Sequence, residues 1–414
     1  GTCASSTPRS HRERARSLSE ERLFIDPCSC DGTMSERIHN FSPGPAALPE
    51  EILLQAQHDL LNYRGCGMSV MEMSHRSTQF QEIIQQAEEC VRKLLDVPSN
   101  YRVLFQQGGG SLQFAAVPMN LGGSGTTPGT STADAVYAVT GQWSAKAAAE
   151  AKKYLGNVFL VEDPLHVESR SWQVPTSVVY AYYCDNETVD GLEWQAGAPP
   201  PFVREGSEED AGEVVVVADM SSNLFTKRLD ISKFGLIYAC AQKTFGIAGV
   251  TLVIVKEDLL DRALTITPSV VSYKEVAANK SLLNTPATFS VYMCKLFLEW
   301  MLDQGGVEAM EERAKSRASR LYKIIDSSDG LYQSLVPTEL TAWRSRVNIV
   351  FRLPSKEQET DFLQQAEARG LSHLSGHRSV GGIRISMYTG LPDTSVDAVE
   401  TFLLEFQSSP THPC

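Results

Sequence analysis

Lys243 comes three residues after a short apolar run, Leu236-Ile237-Tyr238-Ala239-Cys240, and small residues follow it at Gly246, Ala248 and Gly249. A second run, the four valines 214–217, ends just before Asp219. As neighbouring strands of a parallel sheet, both runs would deliver a polar residue to the C-terminal edge, where open α/β sheets bind ligands. One chemistry uses both residues there. A lysine amine condenses with pyridoxal phosphate, and a buried carboxylate pairs with the pyridine nitrogen so that the ring withdraws electrons. Singly, Lys243 reads as a surface lysine and Asp219 as a cap. Together with a phosphate site they point to the cofactor.

That phosphate site is sought in "QGGGSLQFAA", residues 107–116. Its glycines let the backbone approach closely, the helix start after them aims free N–H groups at an anion, and Ser111 adds a hydroxyl. The spacing fits neither GxxxxGK[ST] nor GxGxxG, which argues against a nucleoside triphosphate or a dinucleotide. A glycine turn ahead of a packing helix would give the same letters. Trp143, in "VTGQWSAKA", lies between a strand and a helix, where an aromatic ring stacks on a flat cofactor or fills the core.

The elements that must position these residues alternate in type. "YRVLFQQ", "AVYAVT", "EVVVVADM", "FGLIYAC" and "GVTLVIV" read as strands. Helices are predicted after "FSPGPAALP", over 78–95, over "GGGSLQFAAVPMNL" and over "SAKAAAEAKKYL". Such alternation implies an α/β fold with a mainly parallel sheet. Beyond a long helix near 288–304, "RVNIVFRL", a helix at 356–369, "GIRISMY" and a helix at 394–407 suggest a smaller α/β unit. The expected division is a leader at 1–37, a large cofactor-binding domain at 38–295 and a small domain at 296–414. Residues 122–134 and 196–212 read as surface loops, and the Ser/Arg-rich leader lacks the apolar residues that packing needs.

The 414 residues are 42% hydrophobic and carry a formal charge of −13. That charge argues against nucleic acid or an anionic membrane as partner, yet leaves room for a small anionic substrate held by local arginines. No apolar stretch is long enough to span a bilayer. Nine scattered cysteines without a CxxC pair suggest reduced thiols, no metal site and a cytoplasmic setting, with organellar targeting by the leader left open.

"FSPGPAALP", "MSHRS", "QGGGSLQFAAVPMNL", "TGQWSAKA", "NETVDG", "ADMSSN", "AQKTFGIAGVTLVIV", "NTPATFSVYM" and "GHRSVGGIRISMYTG", in this order from about residue 39 to 407, closely resemble the phosphoserine aminotransferases. The resemblance implies a class V, fold-type I pyridoxal 5'-phosphate transaminase, a homodimer with a seven-stranded sheet in its large domain. It implies reversible amino transfer between L-glutamate and 3-phosphohydroxypyruvate, giving 2-oxoglutarate and O-phospho-L-serine, a step of serine biosynthesis. By motif, Lys243 and Asp219 are catalytic. Gly110, Ser111, Trp143, Thr188, Gln242, and Asn284 with Thr285 reaching from the partner subunit, bind the cofactor. His75, Arg76, His377 and Arg378 hold the substrate phosphate or distal carboxylate, and Arg384 the α-carboxylate, since arginine forks match such anions. Three departures stand out: Ile247 where the family usually has proline, Leu112 in place of a small residue, and a long 122–134 loop. The rivals are another class V enzyme, such as a cysteine desulfurase or an alanine–glyoxylate aminotransferase, and a binding protein without the cofactor. A desulfurase needs a nucleophilic cysteine on a mobile loop, and downstream only Cys294 and Cys414 remain.

Overall fold

The computed structural model describes residue 1 and residues 37–123, 132–161, 165, 172–205 and 214–409. Residues 1–38 separate from a compact unit formed by residues 39–414, which holds all the elements below. The predicted leader and much of the two predicted loops lie outside the described residues.

Seven strands form the main sheet: β1 (Tyr101–Gln106), β2 (Asp134–Ala138), β3 (Asn157–Leu160), β4 (Val178–Cys184), β5 (Val216–Asp219), β6 (Leu236–Cys240) and β7 (Thr251–Lys256). Their order is β1-β7-β6-β5-β4-β2-β3, and only β7 runs antiparallel to its neighbours. Apart from the exposed edge strand β3, the sheet is buried on both faces. Val216 and Ala218 join one core and Val217 the other, as do Ile237 and Ala239 against Leu236 and Tyr238. This is the period of two expected of strands, with apolar residues on both sides because helices cover both.

On one face lie α1 (Glu50–Asp59), α2 (Thr78–Leu95) and α7 (Thr288–Asp303), and on the other α3 (Gly109–Leu121), α4 (Gln142–Ala151) and α6 (Tyr273–Ala278). Helix α2 shows why the sequence folds this way. Ser77 caps it by accepting from the Phe80 N–H, and Phe80, Ile83, Ile84, Ala87, Cys90, Val91, Leu94 and Leu95 form one buried stripe. Each large side chain in such a stripe contributes roughly 1.5–3 kcal/mol of burial.

A second core gathers α8 (Gly306–Asp326), α9 (Lys356–Ala368), α10 (Asp393–Gln407) and the antiparallel pair β8 (Asn348–Arg352) and β9 (Ile383–Ser386). Helix α8 bridges the cores, with Val307 and Met310 in the first and Leu321 and Ile324 in the second. Phe41 and Ala47 also pack in the second core, and His39–Asn40 pairs with Leu371–Ser372. The beginning of the described chain is thereby threaded onto its C-terminal portion.

Candidate active site

Three parallel strands deliver the central groups. In register, Asp219 lies opposite Cys184 on β4 and Tyr238 on β6, so these strands end along one edge. Lys243 follows on a single turn, α5 (Ala241–Thr244). Both predicted catalytic residues reach one cleft of about 470 Å³.

The Asp219 carboxylate is buried and fixed at both oxygens. Oδ1 accepts from the Ser221 N–H at 2.9 Å, and Oδ2 accepts from the Tyr238 hydroxyl at 2.9 Å. The Tyr238 and Tyr182 hydroxyls share a bond of 2.8 Å, so the carboxylate ends a buried hydroxyl chain. Burial pulls the Lys243 ammonium down in pKa, while Tyr388, Cys240, Asp219 and Cys184 pull it up, and the net direction is upward. The "FSPGP" segment lies against this lysine. Gly44 has φ +126, and a Cβ there would sit 3.3 Å from Lys243 Cγ. The Ala46 N–H donates to the Gln242 carbonyl at 2.8 Å.

The glycine run makes a helix start. Gly108 caps α3 at φ +89, where a Cβ would fall 2.5 Å from Leu112 Cδ2. Leu112 thus crowds the turn that the sequence flagged. The Gly110 N–H donates to Cys240 Sγ at 2.9 Å, and a Cβ on Gly110 would approach Cys240 Sγ, Ser221 Oγ and Asp219 Oδ2 within 3.6–3.9 Å. Among the described residues, the N–H groups of Gly109 and Ser111 have no acceptor.

Trp143 sits in the first turn of α4, and its Nε1 donates to Thr188 Oγ1 at 2.7 Å. Lys243 Nζ lies 5.6 Å from the Trp143 ring centroid, so lysine, tryptophan and Thr188 meet in one place. Arg384 comes from β9 and is 6% exposed, yet its Nε has no partner and its Nη1 reaches only the Thr188 carbonyl at 3.5 Å. Burial lowers its pKa, with Tyr388 opposing. A buried guanidinium with spare donors is a seat for a carboxylate. His377 lines the same cleft, its pKa lowered by burial and by Arg384, Lys146 and Arg378, with Asp190 opposing.

Residues 38–399 match the family model for aminotransferase class-V. The chain belongs to the class-V aminotransferases. The phosphoserine aminotransferase of Pseudomonas aeruginosa is 44% identical over 380 residues, covering 90% of this chain and 99% of that one. The solved phosphoserine aminotransferase from Bacillus circulans subsp. alkalophilus superposes with a TM-score of 0.81 at 38% identity, over 90% of this chain and 99% of that one. A pyridoxal phosphate-bound phosphoserine aminotransferase from Trichomonas vaginalis gives 0.79 at 35%, over 89% of this chain and all of its own.

The class-V cofactor fits the residues present. The cleft is walled by a fixed carboxylate, a lysine, an indole and a helix N-terminus with free N–H groups, which suit in turn a pyridine nitrogen, an aldehyde carbon, a ring face and a phosphate. The cleft gathers Gly110, Ser111, Trp143, Thr188, Asp219, Gln242, Lys243, His377 and Arg384. It does not include His75, Arg76, Asn284, Thr285 or Arg378. Two of these five meet elsewhere: His75 Nδ1 and Thr285 Oγ1 lie 3.3 Å apart at an exposed position of the same chain. Sequence reasoning missed Cys184, Asn186, Ser221, Ser222 and Cys240, which also line the cleft. Four of them stand inside or beside "NETVDG" and "ADMSSN", where one residue each was singled out. Cys240 ends the apolar run before Lys243, where a small thiol looks like core.

Proposed function

We propose that the chain transfers the amino group of L-glutamate to 3-phosphohydroxypyruvate, reversibly, giving 2-oxoglutarate and O-phospho-L-serine. The observation that carries this reading is the buried Arg384, its Nε without a partner, lining the Lys243–Asp219 cleft: it adds a seat for an α-carboxylate beside the cofactor residues. When bound, pyridoxal phosphate supplies the electron-withdrawing ring and carries the amino group between the two acids. With the cofactor bound, Lys243 would tether it and would serve as the base that moves the proton of the substrate α-carbon, being the cleft's basic amine. Asp219, held by Ser221 and Tyr238, keeps a fixed negative charge for the ring nitrogen. The α3 N-terminus and Ser111 hold the phosphate, Trp143 covers the ring, and Thr188 and Gln242 complete its surround.

His377 and Arg378 take the distal phosphate or carboxylate. From a second copy of the chain in a homodimer, Asn284 and Thr285 reach the cofactor phosphate, and His75 and Arg76 join in holding the distal anion. Their grouping outside the cleft supports this, since His75 and Thr285 already adjoin with little to bind on their own chain. The cytoplasmic setting finds support in five free cysteines among the described residues. Cys294 is fully buried in α7, its thiol pKa pushed up by burial against a hydrogen bond from Ile247, which disfavours a desulfurase nucleophile.

The test is a donor panel with 2-oxoglutarate as amino acceptor. O-phospho-L-serine is expected to exceed alanine by orders of magnitude in kcat/KM. Comparable values for alanine, or turnover of alanine with glyoxylate alone, would overturn the assignment.

A further inference from the structure

The first turn of α4 is held by carboxylates of the segment that follows β4. The Trp143 N–H donates to Glu187 Oε2 at 2.9 Å, and the Ser144 N–H donates to Glu187 Oε1 at 2.8 Å. The Ser144 hydroxyl donates to Oε1 as well, at 2.5 Å. The Gln142 N–H donates to Asp190 Oδ2 at 3.1 Å. Two glycine-led helices face the cleft, and only α3 keeps free N–H groups for an anion. Those of α4 are consumed by the protein itself.

The residues so held are the ones the cofactor and the substrate need. Trp143 carries the ring that stands over Lys243. The Gln142 side chain donates to Ser379 Oγ, which lies 2.6 Å from His377 Nδ1 on the loop that precedes β9. We propose that Glu187 is a positioning residue for the transamination site: its carboxylate fixes the first turn of α4, setting Trp143 against the cofactor ring and Gln142 against the Ser379–His377 pair. This rests on the reading of Trp143 as the residue that covers the cofactor.

The geometry demands an ionised carboxylate. Both oxygens face donors only, so a protonated acid, or an amide nitrogen in its place, turns a donor toward a donor and leaves a buried N–H unmet. Burial works against ionisation and raises Glu187 to about 7, although Ser144 and Trp143 bonds favour the charge. The other groups facing the clamp are Asp190 beside it, Cys184 from β4, Lys146 of α4 over the Trp143 ring, and His377 beyond Asp190. The clamp therefore closes as pH rises through neutrality.

The experiment measures the Kd of the apo-protein for pyridoxal phosphate by equilibrium dialysis, and the visible circular dichroism of the bound cofactor. The variants are Glu187→Gln, Trp143→Phe and the two together. Glu187→Gln is expected to weaken binding about tenfold at pH 8, the loss typical of a buried donor left unmet, and to alter the dichroism. In the Trp143→Phe background the same change should add little, because Glu187 acts through that ring. Wild type should gain more affinity than Glu187→Gln between about pH 6 and pH 8. Unchanged affinity and dichroism in Glu187→Gln, or fully additive losses, would overturn the proposal. Wild-type affinity in Trp143→Phe would instead overturn the assignment of Trp143. Should Glu187→Gln not fold, Ser144→Ala removes one donor to Glu187: altered dichroism supports the clamp, and unaltered dichroism with wild-type affinity refutes it.

Discussion

The Lys243–Asp219 edge and the His75–Thr285 patch carry residues of one expected site, yet they differ in almost every physical respect. At the edge, Asp219 is 5% exposed with both oxygens satisfied, and the neighbouring Asn186 binds Ser222, Ser345 and Asn348. At the patch, Arg76, Asn284 and Thr285 are exposed, and Thr285 meets His75 and two long bonds to its carbonyl, from Gln107 at 3.4 Å and from Asn284 at 3.5 Å. The first region is preorganised by its own chain. The second has donors without a target, which is what half of a shared site looks like before its other half is considered.

The largest effect should fall on the buried edge. Lys243→Ala is expected to cut turnover by about 10⁴-fold, the upper end of what a positioned base supplies, and to abolish the visible absorbance of covalently held cofactor. A variant that transaminates at wild-type rate would break the assignment. Asp219→Ala should cost about 3–5 kcal/mol in cofactor retention and proton transfer, as when one member of a buried pair is removed. Dialysis Kd and kcat check it, and full retention with full rate would show that Asp219 faces something else.

The arginines sharpen the contrast. Arg384→Ala should cost about 1.5–3 kcal/mol in kcat/KM with every amino donor, since all share the α-carboxylate. Arg378→Ala and Arg76→Ala should cost as much with O-phospho-L-serine and far less with alanine. Equal losses across donors for all three would erase the division between inner and outer anion seats.

A smaller effect concerns stability. Glu187 is raised from 4.5 to about 7 in the folded chain, so the folded state binds the extra proton between those values. Its contribution is full below about pH 4.5 and is lost as pH rises through about 7. The thermal midpoint of wild type should therefore fall across that window more than that of Glu187→Gln. Parallel curves would contradict the burial of its charge. The ionised clamp that organises the cleft thus costs stability at neutral pH.

The Lys243–Asp219 pair was legible because strands announce themselves by apolar runs and a polar residue at the end of one has few other uses. Helix α2 reads directly from its stripe and appears at 78–95 as predicted. Strand β4, "VVYAYYC", is hard to read: tyrosines at alternate positions disguise a largely buried strand, in which Tyr180 pairs its hydroxyl with Tyr137 of β2 and Tyr182 with Tyr238 of β6. Glu187 and Cys240 were illegible for a different cause. Their roles depend on which backbone N–H groups the fold sets in front of them, and nothing local encodes that. His75 and Thr285 are 210 residues apart, and only the packed chain brings them together.

The contrast between the two regions is tested most directly by mixing two inactive chains. Lys243→Ala lacks the buried edge, and a double variant with alanine at Asn284 and Thr285 lacks the exposed patch. Each alone should be dead or crippled. In mixed dimers, one site carries both defects and the other carries neither. Activity should return toward half the wild-type value per dimer. Mixed dimers that form and stay inactive would show that Asn284 and Thr285 serve their own chain, and the shared site would fall.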